Sequence, residues 1–260
     1  MKLVFSIVGS GNMAKYFAHQ CYKNKWKIEE FISRNETEGK LLAKKYNANF
    51  KFFDEEISIN STIVLLAIPD KIILDWNENK CCIDKTILIT AGGIGLQQIS
   101  NLSKNTISMW PLFSILNKID VLDKKDIPFV LQSSNEESKL LADEIAKKIS
   151  TNVFYYSDEQ KLKLHLAAVF ANNFTTHIIG IAQELLKEYK INPEILNAIL
   201  EQTFANAKNG NAFESQTGPA IRNDSSTMNA HLKLLNQDNN ASEIYKLLSN
   251  SIFEKSKKMN

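Results

Sequence analysis

Leu3-Val4-Phe5-Ser6-Ile7-Val8-Gly9-Ser10-Gly11-Asn12-Met13-Ala14 is a short apolar run that passes directly into a glycine turn and a helical pattern, and it decides the fold of this chain. The order strand, tight turn, helix start seats the pyrophosphate of a dinucleotide, here with Ala in the last small-residue position. Gly9 permits the tight turn, Gly11 lets the backbone approach the phosphates, and Ala14 lets the helix pack closely on its strand. The free N–H groups and positive dipole end of a helix starting near Gly11 hold the anion. Gly9, Ser10, Gly11, Asn12 and Met13 are therefore the first cofactor-binding candidates.

The rest of the chain sets the context for that turn. A length of 260 residues suggests one large or two modest domains, and 44% hydrophobic with 23% charged residues marks an ordinary soluble globular protein. The net charge of +2 argues against a nucleic-acid footprint or a polybasic membrane anchor and fits a small anionic ligand better than a polyanion. Leu3 to Val8 is too short for a signal-peptide core, and the best apolar run, Ile63 to Ile68, falls far short of a membrane span. Cys21, Cys81 and Cys82 have no zinc or redox spacing and read as reduced thiols of a cytoplasmic protein.

Strand patterns at Lys2 to Val8, Lys27 to Ile32, Phe50 to Phe52, Thr62 to Ala67, Thr86 to Thr90, Ile107 to Trp110, Pro128 to Leu131 and Val153 to Tyr155 alternate with helical ones. The helical patterns lie at Asn12 to Asn24, Glu36 to Tyr46, Lys71 to Trp76 and Glu136 to Ser150. Ile63-Val64-Leu65-Leu66 and Ile87-Leu88-Ile89 are apolar on both faces, as buried parallel strands are. The expectation is an α/β chain, with a doubly wound parallel sheet over residues 1–156 and an all-α domain over 157–260. In the second part Asp158 to Glu188 reads as one helical run, Pro193 starts the next, Asn209 to Asn223 is rich in turns, and helices follow near Ser226 to Leu235 and Ser242 to Lys257.

The second strand ends in Ser33-Arg34-Asn35. An acidic residue there would grip the ribose of NAD, whereas an arginine accommodates the 2′-phosphate of NADP, so Ser33 and Arg34 favour NADP(H). Two other readings stand beside this one: Arg34 as a solvated loop charge, and Glu29 or Glu30 as ribose ligand if the strand ended earlier. The second is disfavoured because Phe31-Ile32 continues the apolar pattern. Ala67, Ile68 and Pro69 leave the same carboxyl edge as a rigid wall, and Ala91 and Gly92 belong to a second glycine turn, Thr90-Ala91-Gly92-Gly93-Ile94-Gly95. Both are equally readable as ordinary strand-to-helix turns.

With these features in order, the chain resembles the pyrroline-5-carboxylate reductase and 6-phosphogluconate dehydrogenase-like superfamily. It is most similar to the branch that joins a Rossmann-like domain to a helical DUF2520 domain. The closer match rests on Trp110-Pro111-Leu112-Phe113-Ser114, on His165-Leu166-Ala167-Ala168-Val169-Phe170-Ala171-Asn172-Asn173-Phe174, and on Gln216-Thr217-Gly218-Pro219-Ala220-Ile221-Arg222-Asn223-Asp224 with His231-Leu232. The resemblance implies NADP(H) as cofactor and a homodimer through the C-terminal helical domain, with each active cleft between the two domains. It supplies no substrate, and the Thr90 to Gly93 turn departs from the more polar version of relatives.

Hydride transfer asks the protein to position the reacting carbon and supply a proton or an electrostatic clamp. His165, Asn172 and Asn173 are the candidates on the long helix, since positions seven apart return to nearly the same α-helical face. His177, four residues after Asn173, suggests a second polar patch. His165 is placed to donate a proton to a reduced carbonyl or imine near neutral pH. Its neighbours Leu164, Leu166 and Ala168 equally allow a satisfied histidine at a packed dimer interface. Arg222 either grips a substrate carboxylate or phosphate or pairs with Asp224, which reads as a helix cap; His231 faces cleft or core. The four histidines lack ligand spacing with carboxylates, so no metal is expected.

The leading expectation is an NADP-dependent oxidoreductase acting on a small polar C=N or C=O substrate in the interdomain cleft. One rival is a β-hydroxyacid dehydrogenase, which would place a lysine and an asparagine four apart on the linking helix; neither Lys161 nor Lys163 has that asparagine. The other is a dimeric NADP-binding sensor without turnover.

Overall fold

β1 (Val4–Val8) lies inside an eight-stranded sheet, flanked by β2 (Lys27–Ser33) on one side and β4 (Ile63–Leu66) on the other. The computed structural model describes residues 3–53, 59–76, 84–115, 119–210, 212–235 and 238–259. With β3 (Asn49–Phe52), β5 (Thr86–Ile89), β6 (Asn105–Pro111), β7 (Phe129–Ser133) and β8 (Val153–Tyr155) the strand order is β3-β2-β1-β4-β5-β6-β7-β8. The first six strands reproduce the doubly wound Rossmann order, whose direction of winding reverses beside β1 and opens a ligand crevice at the carboxyl ends.

The helices that cover this sheet are α1 (Asn12–Lys23), α2 (Glu36–Tyr46), α3 (Asp70–Trp76), the one-turn α4 (Ile119–Leu122) and α5 (Glu136–Ile149). Burial on both faces follows strand alternation: Ile63 and Leu65 join one apolar cluster with Phe5, Ile7 and Phe17, while Val64 and Leu66 join the other with Ile73, Ile87 and Ile89. α2 starts at an Asn35 cap that accepts from the Glu38 N–H at 3.1 Å and ends at Asn47 in the left-handed region.

The sheet departs from the all-parallel expectation at one edge. β7 runs antiparallel to β6, with Met109 opposite Leu131, and β8 runs parallel to β7. The described part of the β6–β7 connection carries only the four-residue α4, too little helix to cover a sheet face, and the chain turns back beside β6.

Contacts divide the chain into two compact units, residues 1–171 and 172–260. The change of texture at Ser157 therefore precedes the division, because α6 (Asp158–Ala168) is bonded onto the sheet unit. Lys161 donates to the Ile94 carbonyl at 2.6 Å, and Asp158 accepts from the Leu96 N–H at 3.1 Å.

The second unit contains α7 (Thr175–Glu188), a 3₁₀ turn over Pro193–Leu196 capped by Asn192, then α8 (Asn197–Asn209), α9 (Ser225–Leu234) and α10 (Asn239–Lys257). It has no strand among the described residues. The expected continuous α-helix from Asp158 to Glu188 is interrupted by a π-helical turn over Val169–Phe174. Cys21 is buried with a free thiol, whereas Cys81 and Cys82 lie outside the described residues. Among the described residues no helix is long and apolar enough to cross a membrane.

Candidate active site

The glycine turn is built as its sequence requires. Gly9 has φ +116°, and a Cβ there would overlap the Ala67 carbonyl, so the close approach of the β1 and β4 ends depends on glycine. The Gly9 N–H donates to the Ile32 carbonyl at 2.8 Å, and the Ala67 N–H to that of Val8 at 2.8 Å. α1 begins from Gly11 with no side-chain cap and no acidic residue in its first turn, which leaves its leading N–H groups unclaimed by side chains. A side chain added at Gly11 would meet nothing within 4 Å. An open, uncapped helix start of this kind fits a pyrophosphate.

Ser33 and Arg34 lie beside this turn. The Ser33 and Ser10 hydroxyls share a hydrogen bond of 2.9 Å, tying the end of β2 to the glycine turn. Arg34 is exposed, with its guanidinium 4.8 Å from the Phe53 ring centre. Glu30 cannot serve as a ribose ligand. It is fully buried, accepts from Ser6 Oγ at 2.7 Å and from the Asn60 N–H at 3.1 Å, and pairs with Lys51 Nζ at 2.6 Å. Glu29 pairs with Lys27.

The turn after β5 packs against α6. A Cβ at Gly92 would sit 2.7 Å from His165 Cδ2 and 2.7 Å from Trp110 Cε2, so only glycine fits there. His165 is half-buried and meets the Trp110 ring edge to face, with centroids 5.5 Å apart. At Gly93 the same probe position lies 3.0 Å from Asp70 Oδ2 and 3.7 Å from His165 Cε1, which places a carboxylate and an imidazole around one point. One turn before His165, Lys161 is 1% exposed and donates to the Ile94 carbonyl at 2.6 Å and to Ser108 Oγ at 2.7 Å. Burial pushes its ammonium down to about 8, against the opposing pull of the Asp158 and Asp70 charges.

Residues 4–89 match the family model of coenzyme F420-dependent NADP oxidoreductases, and residues 127–252 match that of a domain of unknown function, DUF2520. The chain thus joins a match to NADP oxidoreductases with a match to DUF2520. NADP(H) is the cofactor of this family. A protein of Bacteroides fragilis, provisionally described as an NADP oxidoreductase, is 28% identical over 97% of this chain and 98% of its own, with a TM-score of 0.87. Two more distant structures share the fold alone. A pyrroline-5-carboxylate reductase of Streptococcus pyogenes is 14% identical over 98% of both chains, with a TM-score of 0.61. An imine reductase of Myxococcus stipitatus, in complex with NADP+, is 11% identical over 98% of this chain and 93% of its own, with a TM-score of 0.69. None of the curated proteins matches.

In this oxidoreductase the structure gathers Gly92 and His165, but other candidates have separate settings. Asn172 and Asn173 are exposed within the π-helical turn, whose wider i→i+5 pattern removes the premise that residues 165 and 172 share an α-helical face. His177 is exposed on α7. Asp224 caps α9, accepting from the Thr227 N–H at 3.0 Å and Thr227 Oγ1 at 2.7 Å, while Arg222 is exposed and makes no ion pair among the described residues. His231 bonds the Tyr245 hydroxyl at 2.9 Å. Sequence reading passed over Lys161, Asp70 and Asp158 as site residues. The available signal was the four-residue spacing of Lys161 and His165, which the search for a lysine–asparagine pair discarded.

Proposed function

We propose that the oxidoreductase uses NADPH to reduce a C=N or C=O bond of a small polar molecule at the Gly92–Gly93 turn. The observation that carries this reading is the convergence on that turn of a buried ammonium, Lys161, and a half-buried imidazole, His165. Bound NADPH supplies the hydride. The uncapped start of α1 with Gly9, Ser10, Gly11, Asn12 and Met13 binds the pyrophosphate. Ser33 and Arg34 take the 2′-phosphate, and Ala67, Ile68, Pro69, Ala91 and Gly92 line the nicotinamide side. His165 gives the proton to the nitrogen or oxygen of the reduced substrate. Lys161 fixes the turn through Ile94 and adds a positive field for charge that develops on the heteroatom.

NADPH oxidation against imines, ketoacids and aldehydes tests the proposal. Turnover of one class is expected, with kcat falling at least about tenfold in His165→Gln, the low end for a general acid. Tight NADPH binding with turnover of none of these classes would overturn it.

The proposed protomer works as a homodimer through its helical unit, in the cytoplasm. Ile178 on α7, at 38% exposure, Ile199 on α8, at 58%, and Leu234 on α9, at 65%, are exposed apolar side chains of that unit, and α7, α8 and α9 contain no buried side chain. An amphipathic helix without a buried face needs a partner surface.

A further inference from the structure

Arg34 follows the end of β2 with its side chain exposed and, among the described residues, without an ion pair or hydrogen bond. The carboxylates nearest it in sequence are all taken by lysines. Glu30 pairs with Lys51 at 2.6 Å, Glu36 with Lys40 at 2.5 Å and Glu38 with Lys15 at 2.8 Å, and Glu29 pairs with Lys27. The guanidinium therefore keeps its N–H donors for an anion from outside the chain, and no unpaired carboxylate of β2 or of the first turn of α2 repels one.

The backbone on either side of Arg34 is pinned. Ser33 Oγ accepts from the Asn35 N–H at 3.0 Å and shares its bond with Ser10, while Asn35 caps α2. The guanidinium itself lies 4.8 Å from the centre of the Phe53 ring. That ring is fixed from three sides: the Phe53 N–H donates to the Ser33 carbonyl at 3.2 Å, the side chain packs on the cluster of Ile32, Val64 and Leu66, and the buried Trp76 meets it edge to face with centroids 5.4 Å apart. The face of an aromatic ring attracts a cation. An arginine, which otherwise gives up much rotamer freedom on binding, is thus held against a rigid surface before any ligand arrives.

Given the assignment of the 2′-phosphate to Ser33 and Arg34, on which this rests, we propose that Phe53 is a positioning residue that sets the preference for NADP(H) over NAD(H) by holding Arg34 ready for that phosphate. NAD(H) lacks the phosphate, so an ordered Arg34 gives it no advantage. Without the arginine the ring favours neither cofactor. Phe53 and Arg34 therefore act as one unit, and the mark of such a unit is that their effects do not add.

Calorimetric titration of the protein with NADP+ and NAD+, which differ by the 2′-phosphate alone, tests the pair. Phe53→Leu is expected to weaken NADP+ about two- to tenfold, the cost of immobilising a side chain that the parent already holds, and to leave NAD+ unchanged. Phe53→Tyr should bind both like the parent, because the ring is kept. In the Arg34→Ala background Phe53→Leu should change neither affinity. Equal weakening of NADP+ and NAD+ by Phe53→Leu, the result for a merely structural ring or for one on which the adenine itself stacks, would overturn the inference. So would a Phe53→Leu loss that persists in the Arg34→Ala background. If Phe53→Leu fails to fold, Phe53→Met, which nearly keeps the volume, decides the same points. Should Arg34→Ala have no selective effect on NADP+, the phosphate assignment fails and Phe53 with it; a selective Arg34→Ala loss with Phe53→Leu like the parent removes Phe53 alone.

Discussion

The sheet unit and the helical unit satisfy their apolar residues in opposite ways. In residues 1–171 both sheet faces carry fully enclosed clusters that include Phe5, Phe17, Phe31 and Phe129 on one side and Val64, Ile73 and Ile87 on the other. In residues 172–260 the buried apolar side chains among the described residues are Ala220, Leu235 and Ala241. The sheet unit thus has a core of its own to hold the cofactor turn. The helical unit presents its apolar area outward, as a surface for the proposed second copy.

The sharpest way to break this contrast is a charge on an exposed apolar side chain of α7. Ile178→Glu should convert the proposed dimer to monomer in sedimentation velocity and lower the melting temperature of the helical unit, since burying an unpaired carboxylate costs several kcal/mol. NADPH affinity should be retained. Unchanged dimerisation would remove α7 from the interface.

The converse change attacks the sheet unit. Gly9→Val forces a side chain into the Ala67 carbonyl at a positive φ, with a strain of about 1–3 kcal/mol before overlap is counted. A rise of about a hundredfold in the NADPH Kd is expected by fluorescence titration, with the oligomeric state intact.

Lys161→Met separates stability from chemistry. The folded Lys161 holds its proton less tightly than the unfolded one, with the value pushed down to about 8 from 10.5, so its burial opposes folding fully below pH 8. That opposition is relieved as pH rises from 8 to 10.5, an increment on the order of 3 kcal/mol. Denaturant melts should show parental stability rising across this window and the rise missing in the variant. Its kcat should fall about tenfold or more, and the parent's reductive rate should decline above pH 8 as the ammonium is lost.

The most selective effect is expected at Arg34. Arg34→Ala should weaken NADPH binding by about 1.5–3 kcal/mol, the range of a charge-assisted hydrogen bond, and leave NADH binding unchanged. Equal losses would make Arg34 a loop charge stacked on Phe53.

Legibility in the sequence followed the range of each interaction. The β1 to α1 turn and the Asp224 cap were readable because neighbours in sequence determine them. The antiparallel β7 was not, since its direction depends on which strand edge it meets, and Val130 reads the same either way. Lys161 stayed hidden because a lysine between Gln160 and Leu162 looks like a solvated helix residue; its burial arises only against Ile94 and Ser108. Nothing in Val169 to Phe174 advertises a π-helical turn, so the seven-residue argument for Asn172 used the wrong period.

The Asp158 carboxylate accepts from the Leu96 N–H, a residue 62 positions earlier, and from the Gln97 N–H at 3.3 Å. It sits at the start of the same helix that carries His165. The separation of imidazole and turn is therefore set by a rigid clasp rather than by the tension of a loop. Whatever motion admits the substrate must carry the two together, so the proposed proton donor arrives already aligned.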